Sequence, residues 1–487
     1  MNNKIITSCL ALLLAGSIAQ AQVSPKLRTG YANPVSDSWF EADPTSVEYN
    51  GRLYVYGTND HQQYEHTQKN HYDKIKTLTI MSTDDMVNWT HHGVVPVGEL
   101  CKWVNSSWAP SIVSRKEADG KTHFYLYFAS NGGATAVLTS TSPVGPWISP
   151  LDKDLVTGDI PEVNGCAFDP GAVIDDDGVG WIAVGGGQGR IGRLGKDMIS
   201  IDSKFINPHP IHIMEANEMN YIGGKYVYTY CIDWADHNDG TFSGDIPHTC
   251  SMGYMTTTTP LDSTSWKFQN AYLNNPGEFE TFKWTNNHTH LQKFRGKWYI
   301  IYHTEMLMED MNIYAEGGPE GASKENLMGH FRSIMIDEIQ VDEQNAHIYP
   351  AKMTKQGPKP IQALNPFIIQ QAETVAAAEG IKWEAGDGNG NMIATRGKAF
   401  SKHALPDESI LLVRGADFSK KAKKFTARLK GQSKLTLHLD SINAPATATL
   451  SSAADWKDVS AKVNIQGTHD IYFKLTSDLQ FDYWQFK

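Results

Sequence analysis

Apolar and polar residues alternate with a period of two over much of the chain. After the turn at Gly51, for example, Leu53 and Val55 alternate with Tyr54 and Tyr56. Such alternation, with aromatic residues that suit a pleated and half-buried surface, predicts β-strands. Helical periodicity is almost absent, so the sequence predicts an all-β protein.

One strand pattern recurs five times in the N-terminal part of the chain. Each copy has a polar or aromatic residue, a short apolar stretch, a turn containing Gly and an aromatic-rich strand. The copies are "EADPTSVEYNGRLYVYGTND", "WAPSIVSRKEADGKTHFYLYFAS", "FDPGAVIDDDGVGWIAVGGG", "EANEMNYIGGKYVYTYC" and "NHTHLQKFRGKWYIIYH", which begin at Glu41, Trp108, Phe168, Glu215 and Asn287. Units spaced by roughly 45 to 75 residues, with about four strands each, predict a five-bladed β-propeller. A pair of β-sandwiches is the alternative for the same strands.

The strand pattern is interrupted before the C-terminal part of the chain. Four prolines, Pro350, Pro358, Pro360 and Pro366, interrupt the pattern as in a linker. Beyond them, short alternating stretches such as "KLTLHLDS" and "HDIYFKL" are separated by turns, which predicts a β-sandwich. We therefore expect a propeller domain over residues 22–355, a linker over residues 356–366 and a β-sandwich domain over residues 367–487.

The first 21 residues have the composition of a secretory signal peptide. Lys4 precedes an apolar run from Ile5 to Ile18, and a small-residue Ala-Gln-Ala motif ends at Ala21. This run is too short to span a bilayer, and no other run in the sequence approaches the needed length. We therefore expect cleavage after Ala21 and a secreted or periplasmic protein with no membrane partner.

The charge balance excludes nucleic acid as a partner. The chain has 54 acidic residues against 43 Lys and Arg, a net charge of −11, and no basic stripe that would attract phosphates. Neutral substrates fit this balance better. Its five Cys are too few for a disulfide scaffold in 487 residues. Cys231 and Cys250 could pair if their strands form a hairpin, but we expect buried free thiols.

The repeat gives a reason to connect four polar residues. In a propeller the first strand of each blade lines the central channel, so the residue that begins it points at the axis on one face. By this geometry Asp43, Asp169, Glu215 and His288 converge on one funnel. Taken singly, each has an ordinary explanation, because an Asp before Pro is commonly a turn residue and a single His is usually a satisfied core or surface group. Their places in the repeat favour a shared site.

These motifs, in this order, resemble glycoside hydrolase family 43, whose members are five-bladed propeller enzymes that cut arabinose- and xylose-containing glycans. The resemblance covers roughly residues 30–355. It implies that Asp43 is the general base, Glu215 the general acid, and Asp169 the carboxylate that orients the acid and tunes its pKa. It also implies that His288 is the axial histidine of the family, near which a calcium ion is often bound.

The chemistry needs these residue types independently of the family. Inverting glycoside hydrolysis requires one carboxylate to activate water and one protonated carboxylic acid to protonate the leaving oxygen. A neighbouring negative charge such as that of Asp169 helps the acid to stay protonated. Glu218 is a rival for the acid. Since Glu215 and Glu218 have opposite parity in a strand, only one of them faces the channel, and the resemblance favours Glu215.

Two further residues, together with His288, are candidates for substrate binding. Trp108 is a candidate for an apolar wall of the sugar pocket, with a core Trp between blades as the alternative. Arg332, in "HFRSIMIDE", resembles an arginine of the last blade that reaches sugar hydroxyls. A surface or inter-strand Arg is the alternative there.

The C-terminal part resembles carbohydrate-binding module family 6, a jelly-roll sandwich, through "QQAET" and the final "FDYWQF". That family often holds a structural calcium, for which Glu373 and Asp482 would supply oxygen ligands. Ile410 occupies the place of an aromatic residue of the binding cleft, and losing a stacking ring removes a main source of sugar affinity. The module is therefore structural, or it binds sugar through another surface such as one carrying Trp383.

The resulting functional expectation is an exo-acting, inverting glycosidase. It would release terminal arabinofuranose or xylose from plant cell-wall polysaccharides or oligosaccharides, with α-L-arabinofuranosidase favoured by the resemblance. Three long insertions, residues 61–76, 235–249 and 306–329, follow inner strands, and on one face they would close a cleft into a pocket that admits a chain end. The alternatives are β-xylosidase, endo-arabinanase or xylanase, and galactofuranosidase activity, or a non-catalytic sugar-binding propeller. The chemistry requires no cofactor, calcium is implied only in the channel and the C-terminal domain, and we expect a monomer.

Overall fold

The computed structural model describes residues 27, 32–67, 71–235, 237, 240–244, 249–278, 285–311, 331–385, 392–396, 408–476 and 478–487. Over these ranges the chain is mostly β-strand, which confirms the all-β prediction. The helices described are α1 (Asp60–Thr67), α2 (Val97–Leu100) and α3 (Met306–Asp310), with 3₁₀ turns at Tyr72–Lys74 and Pro276–Glu278. The expected signal peptide, residues 1–21, lies outside the described residues. No helix in these ranges is long and apolar enough to cross a membrane.

The N-terminal part forms five antiparallel sheets that follow one another along the chain, here numbered I to V. Sheet I contains β1 (Ala42–Tyr49), β2 (Arg52–Thr58), β3 (Leu78–Thr83) and β4 (Trp89–Val95); sheet II β5 (Ser107–Lys116), β6 (Thr122–Ser130) and β7 (Ala134–Ser140); sheet III β8 (Gly171–Ile174), β9 (Gly180–Val184) and β10 (Arg190–Arg193); sheet IV β11 (Ile213–Ile222), β12 (Lys225–Ile232), β13 (Met252–Thr257) and β14 (Lys267–Leu273); and sheet V β15 (Thr289–Phe294), β16 (Lys297–Thr304) and β17 (Ser333–Ile339). The short hairpin of β18 (Val341–Asp342) and β19 (His347–Ile348) follows.

Tight turns join the first two strands of three sheets. The Asn-Gly pair at 50–51, the Gly-Gly pair at 223–224 and the Arg-Gly pair at 295–296 all have positive φ at both residues. Positive φ at both central residues is the backbone of a type I′ turn, whose twist matches that of the flanking strands. The turns therefore fix the register in which the first strand of each sheet meets the second.

The five sheets pack against one another in a cycle. The first strand of each sheet lies against the first strand of the next, from β1 through β5, β8, β11 and β15 and back to β1. Five buried apolar clusters fill the spaces between consecutive sheets, and the fifth of them joins sheet V to sheet I. The apolar residues of both sheet faces are buried in this way, while the polar ends of the first strands meet at the centre.

Strand number differs from the prediction of about four strands in each unit. Among the described residues, sheets II, III and V have three hydrogen-bonded strands each. In sheets II and III, single bridges between Thr139 and Ile148 and between Ile191 and Ile206 lie where a fourth strand would pair. Proline and glycine at 143–146 leave too little regular backbone for a longer ladder in sheet II.

The C-terminal part forms one nine-stranded antiparallel sheet. Its strands are β20 (Gln370–Gln371), β22 (Ala377–Glu379), β23 (Ile381–Ala385), β24 (Met392–Arg396), β25 (Glu408–Lys430), β26 (Lys434–Leu439), β27 (Ala448–Ser451), β28 (Lys457–Thr476) and β29 (Gln480–Phe486). Most of its buried apolar residues form one cluster, and a smaller second cluster joins Ala377, Leu412 and Tyr472 to Val87 of the N-terminal part. β25 and β28 are long because each joins two stretches that the sequence shows as separate strands, and β25 changes register at three places along β28. Such irregularities bend a strand.

The C-terminal sheet is attached to sheet I rather than hanging from a free linker. β21 (Thr374–Val375) pairs with the outer edge of β4. Trp383 is only 4% exposed, its indole N–H donates to Ser38 Oγ at 2.7 Å, and its ring stacks on His91 with centroids 4.7 Å apart. The suggestion that Trp383 marks a sugar-binding surface is therefore wrong, because this indole is part of the contact with sheet I.

The four described cysteines are free. Cys101, Cys231 and Cys250 are buried, as expected, whereas Cys166 is exposed. Burial and the neighbouring Cys250 thiol raise the pKa of Cys231 well above its usual range, so Cys231 is held as a thiol.

Candidate active site

A cavity of about 200 Å³ lies where the first strands of the five sheets begin. Each sheet contributes a residue at or just before its first strand, namely Asp43, Trp108, Asp169, Glu215 and His288. The other lining residues are Tyr72, Gly132, Phe168, Asn286, Asn287 and Arg332. All six residues singled out from the sequence as site candidates are thus brought together in one cavity.

A left-handed backbone conformation occurs at or next to several residues that line the cavity. Asp43 and Asp169 have φ values of 48° and 50°, and Ala109 and Ala216 occupy the same left-handed region in sheets II and IV. A residue other than Gly in this region costs on the order of 1–3 kcal/mol and is commonly found at functional sites. The strand pairing also slips here in sheets I, II and IV. Glu215 lies one residue before the left-handed position of its sheet, so it is not strictly equivalent to Asp43 and Asp169.

Asp43 is a buried and ionised carboxylate. Its Oδ1 accepts a hydrogen bond from Arg332 Nη1 at 2.8 Å, and its Oδ2 accepts one from Thr58 Oγ1 at 2.7 Å. Burial alone would raise the pKa of Asp43, but the Arg332 guanidinium and the nearby His288 ring lower it far below its usual range. The carboxylate therefore stays ionised, and it takes up a proton only from a neighbouring group that is itself releasing one.

Arg332 is fixed by a second acid. Asp60, at the start of α1, accepts hydrogen bonds from Arg332 Nε at 2.7 Å and Nη2 at 2.9 Å, and from its backbone N–H at 3.0 Å. Burial raises the pKa of Asp60 to about 6 despite this cation. The paired, two-point contact holds the guanidinium plane so that its remaining nitrogen meets Asp43.

Glu215 and Asp169 have the opposite electrostatic character. Burial and the negative charges of Asp169 and Asp43 raise the pKa of Glu215 to about 8. Burial also raises the pKa of Asp169, whose Oδ2 accepts a hydrogen bond from the backbone N–H of Ala216 at 2.9 Å. The two carboxyls titrate as a pair, and Glu215 holds the proton at neutral pH because its pKa is the higher.

Two histidines surround Asp43. His303 Nδ1 accepts a hydrogen bond from the Asp43 backbone N–H at 3.1 Å, and its Nε2 therefore donates to the Asn286 carbonyl at 3.1 Å. Burial and the Arg332 charge lower the pKa of His303 to about 3, so its ring is neutral. His288 Nδ1 lies 3.5 Å from Asp43 Oδ1, and this carboxylate raises the pKa of His288 despite burial.

The surroundings of His288 do not fit a directly bound calcium ion. Calcium takes six to eight oxygen ligands, whereas the nearest carboxylate oxygen, Asp43 Oδ1, already accepts from the Arg332 guanidinium. Within the described ranges, no group of three acidic or histidine ligands surrounds His288. This differs from the expectation that His288 is a metal residue, and its imidazole is instead part of the ion-pair network of Asp43.

Aromatic side chains form the wall of the cavity. The Trp108 indole N–H donates to the Tyr72 carbonyl at 2.8 Å, and the two rings meet edge to face. Gly132, on the turn after β6, packs directly against this indole. A Cβ at this position would lie only 2.8 Å from the ring. Trp108 therefore lines the pocket, and its contact with a sugar stays a prediction.

Glu218 does not line the cavity. It is 2% exposed and its Oε1 lies 3.1 Å from His290 Nδ1. The register slip between Glu215 and Glu218 directs them to different surroundings. Sequence reasoning preferred Glu215, but it did not single out Asp60, Tyr72 or His303. Asp60 and His303 both stand at the ends of quoted repeat strands, so the signal was present.

Only parts of the three long insertions lie within the described residues. The first one forms α1 and the 3₁₀ turn that carries Tyr72. Residues 235, 237, 240–244 and 249 of the second are described. Most of the third, residues 312–329, lies outside the described residues.

Comparison with known proteins agrees with this geometry. The family model for glycosyl hydrolases family 43 matches residues 31–364. The chain is 31% identical to an arabinoxylan arabinofuranohydrolase of Bacillus subtilis over 99% of this chain and 97% of that protein, and 29% identical to one of Paenibacillus polymyxa over 99% and 80%. A crystal structure of a Bacillus subtilis arabinoxylan arabinofuranohydrolase in complex with cellotetraose superposes with a TM-score of 0.81 at 28% identity, covering 96% of this chain and 99% of that one. The chain therefore belongs to glycosyl hydrolases family 43.

Proposed function

We propose that this glycosidase is an exo-acting, inverting α-L-arabinofuranosidase that releases terminal arabinofuranose from arabinoxylan or related plant cell-wall glycans. The observation that carries the proposal is one small cavity that holds an ionised Asp43 together with a protonated Glu215. Similarity to two arabinoxylan arabinofuranohydrolases over nearly the whole chain supports this choice of sugar.

The two carboxyls have complementary roles in the reaction. Asp43 takes a proton from a water molecule as that water attacks the anomeric carbon, and Glu215 gives its proton to the glycosidic oxygen as the carbon–oxygen bond breaks. Attack from the face opposite the leaving group inverts the anomeric centre. Asp169 is a positioning residue, because its negative charge helps to keep Glu215 protonated before the reaction.

The size of the cavity supports exo-action. Pockets for drug-sized ligands measure roughly 300–1,000 Å³, whereas this one measures about 200 Å³. A single pentose suits that volume, and the half-buried Trp108 and Tyr72 offer apolar surface to its ring. Although Arg332 lines the cavity, its guanidinium is buried and paired with both Asp43 and Asp60, which favours a support for the base over direct contact with the sugar.

The cyclic packing of sheets I to V supports a five-bladed β-propeller over residues 22–355, with residues 356–366 as a linker and a β-sandwich over residues 367–487. The long, bent β25 and β28 are of the kind that pass between the two layers of a sandwich. We also propose that the signal peptide directs export, and that the folded chain acts as a monomer.

The C-terminal domain is proposed to be a module of the family 6 type with a structural calcium. Gln371 Oε1 and Glu373 Oε2 are buried oxygens without a hydrogen-bond partner among the described residues. Burial and the nearby Asp482 raise the pKa of Glu373 to about 8, although a backbone hydrogen bond from Met392 opposes the shift. These oxygens fit a calcium ion, which would remove the cost of leaving them unpaired.

Product analysis tests the proposed function. The enzyme is incubated with arabinoxylan, arabinan, xylan and the nitrophenyl glycosides of arabinofuranose and xylose, followed by chromatography and proton NMR of the first-formed sugar. We expect free arabinose, released with inversion. Oligosaccharides as first products would contradict the pocket argument, xylose alone would assign β-xylosidase activity, and retention would contradict the mechanism.

A further inference from the structure

A cluster of metal-ligating side chains lies outside the catalytic machinery, at the same end of sheet IV. His212 precedes β11, whereas Asp233 and His237 follow β12. Ile213 pairs with Ile232, which brings the two segments together. One ligand atom from each of the three residues lies within 4.8 Å of the other two.

The carboxylate of Asp233 faces both imidazoles. Its Oδ1 lies 2.7 Å from His237 Nε2, and its Oδ2 lies 3.9 Å from His212 Nδ1. The two rings stack with centroids 3.7 Å apart and an interplanar angle of 22°. Asp233 Oδ1 also accepts a hydrogen bond from the Ala235 N–H at 2.9 Å, which orients the carboxylate. Phe242 packs beside both rings and gives the cluster an apolar side.

We propose that His212, Asp233 and His237 bind one divalent transition-metal ion, for which Zn²⁺ is the best probe. Zn²⁺ accepts imidazole nitrogen and carboxylate oxygen at roughly 2.0–2.2 Å, and a water completes the tetrahedron. Calcium and magnesium prefer all-oxygen sites, so two imidazoles argue against them. His237 is buried and already close to Asp233, while the half-buried His212 lies 3.9 Å from Asp233 Oδ2 and would have to approach it for all three residues to reach one ion.

The ion would add a side-chain link between two segments that already meet through the backbone hydrogen bond from the Asp233 N–H to the His212 carbonyl at 2.7 Å. It would tie the chain after β12 to His212, three residues before Glu215 on β11. We therefore expect Zn²⁺ to stabilise the folded protein by mass action, because the three ligands converge only in the folded state. The chemistry of glycoside cleavage is not involved.

The experiment measures Zn²⁺ binding to the full-length, tag-free chain by calorimetry and by thermal unfolding. His212→Gln and His237→Gln each remove one ligand, and Asp233→Asn removes the carboxylate with little change of shape. His209→Gln is the matched control, because His209 is exposed, lies on the same segment and is not in the cluster. Circular dichroism without metal verifies that every variant is folded.

We expect one Zn²⁺ per wild-type chain, a rise in unfolding temperature with Zn²⁺, and affinity at least about tenfold weaker in each of the three ligand variants. The control should bind as the wild type does. Cobalt(II) in place of zinc should show the visible absorption of a tetrahedral site. The proposal is overturned if the wild-type chain binds no stoichiometric Zn²⁺, or if the ligand variants that fold bind it as tightly as His209→Gln.

Discussion

At the scale of single residues, the assignment of the acid depends on Glu215 rather than Glu218. Glu215 lies in the cavity and Glu218 is buried against His290. We predict that Glu215→Gln lowers kcat/KM by roughly 10²–10⁴, while Glu218→Gln leaves most of the activity. Kinetics on a nitrophenyl arabinofuranoside, with both variants verified as folded, measure this. An inactive Glu218→Gln beside an active Glu215→Gln would reverse the assignment.

The proton of Glu215 gives a second prediction at this scale. Because the pKa of Glu215 is raised to about 8, activity should fall as the pH rises through that value and the acid loses its proton. The charge of Asp169 contributes to this elevation, so Asp169→Asn should move the alkaline limb to lower pH as well as reduce the rate. The pH profile of kcat/KM measures both. An unmoved limb in Asp169→Asn would mean that Asp169 acts only on structure.

The sequence predicted the carboxyl residues that meet in the cavity, but not the residues that hold them in place. Asp43, Asp169 and Glu215 could be predicted because each stands at a repeated strand start. The pairing of Asp60 with Arg332 could not, since the two are 272 positions apart and nothing local marks them as partners. Likewise, the left-handed backbone at Asp43 depends on the slipped pairing of β1 with β2, which is a tertiary feature.

At the scale of strands and turns, alternation predicted most strands but not their ends. "DVSAKVNI" and "HDIYFKL" form the single strand β28, because the Gly-containing stretch between them continues to pair with β25 instead of turning. In sheet II the fourth strand is reduced to single bridges. Strand ends are set by which neighbour offers hydrogen bonds, and a single sequence does not show that neighbour.

The turn after β6 carries a prediction of its own. Gly132 has φ of 67° and touches the Trp108 indole, so Gly132→Ala strains the backbone and pushes the pocket wall. We expect kcat/KM to fall at least about tenfold, mainly through KM, because displacement of a wall by ~1 Å is costly in a preorganised site. Gly133→Ala is the matched control, since a Cβ there meets nothing within 4 Å. Equal kinetics in the two variants would remove Trp108 from the sugar-binding wall.

At the scale of the whole molecule, the C-terminal sheet is held against sheet I by backbone pairing and by one indole. β21 extends sheet I at β4, and Asn88 exchanges hydrogen bonds with the backbone of Arg414. We expect the two parts to unfold together, because each covers apolar surface of the other. The proline-containing segment between them is therefore not expected to act as a flexible tether.

Trp383 gives the prediction that tests this coupling. Trp383→Ala removes a nearly buried ring, its stacking on His91 and its hydrogen bond to Ser38, so we expect a loss of about 3 kcal/mol in the free energy of unfolding. Because Trp383, Ser38 and His91 do not line the cavity, kcat/KM on a small substrate should stay close to that of the wild type. Trp234→Ala is the matched control for stability, since Trp234 is 43% exposed and its truncation should cost little.

Denaturant titration measures the free energy of unfolding, and calorimetry measures the number of unfolding transitions. Two separate transitions in Trp383→Ala against one in the wild type would show that this indole couples the domains. An unfolding free energy equal to that of Trp234→Ala would show instead that the strand pairing of β21 with β4 is sufficient to hold them together.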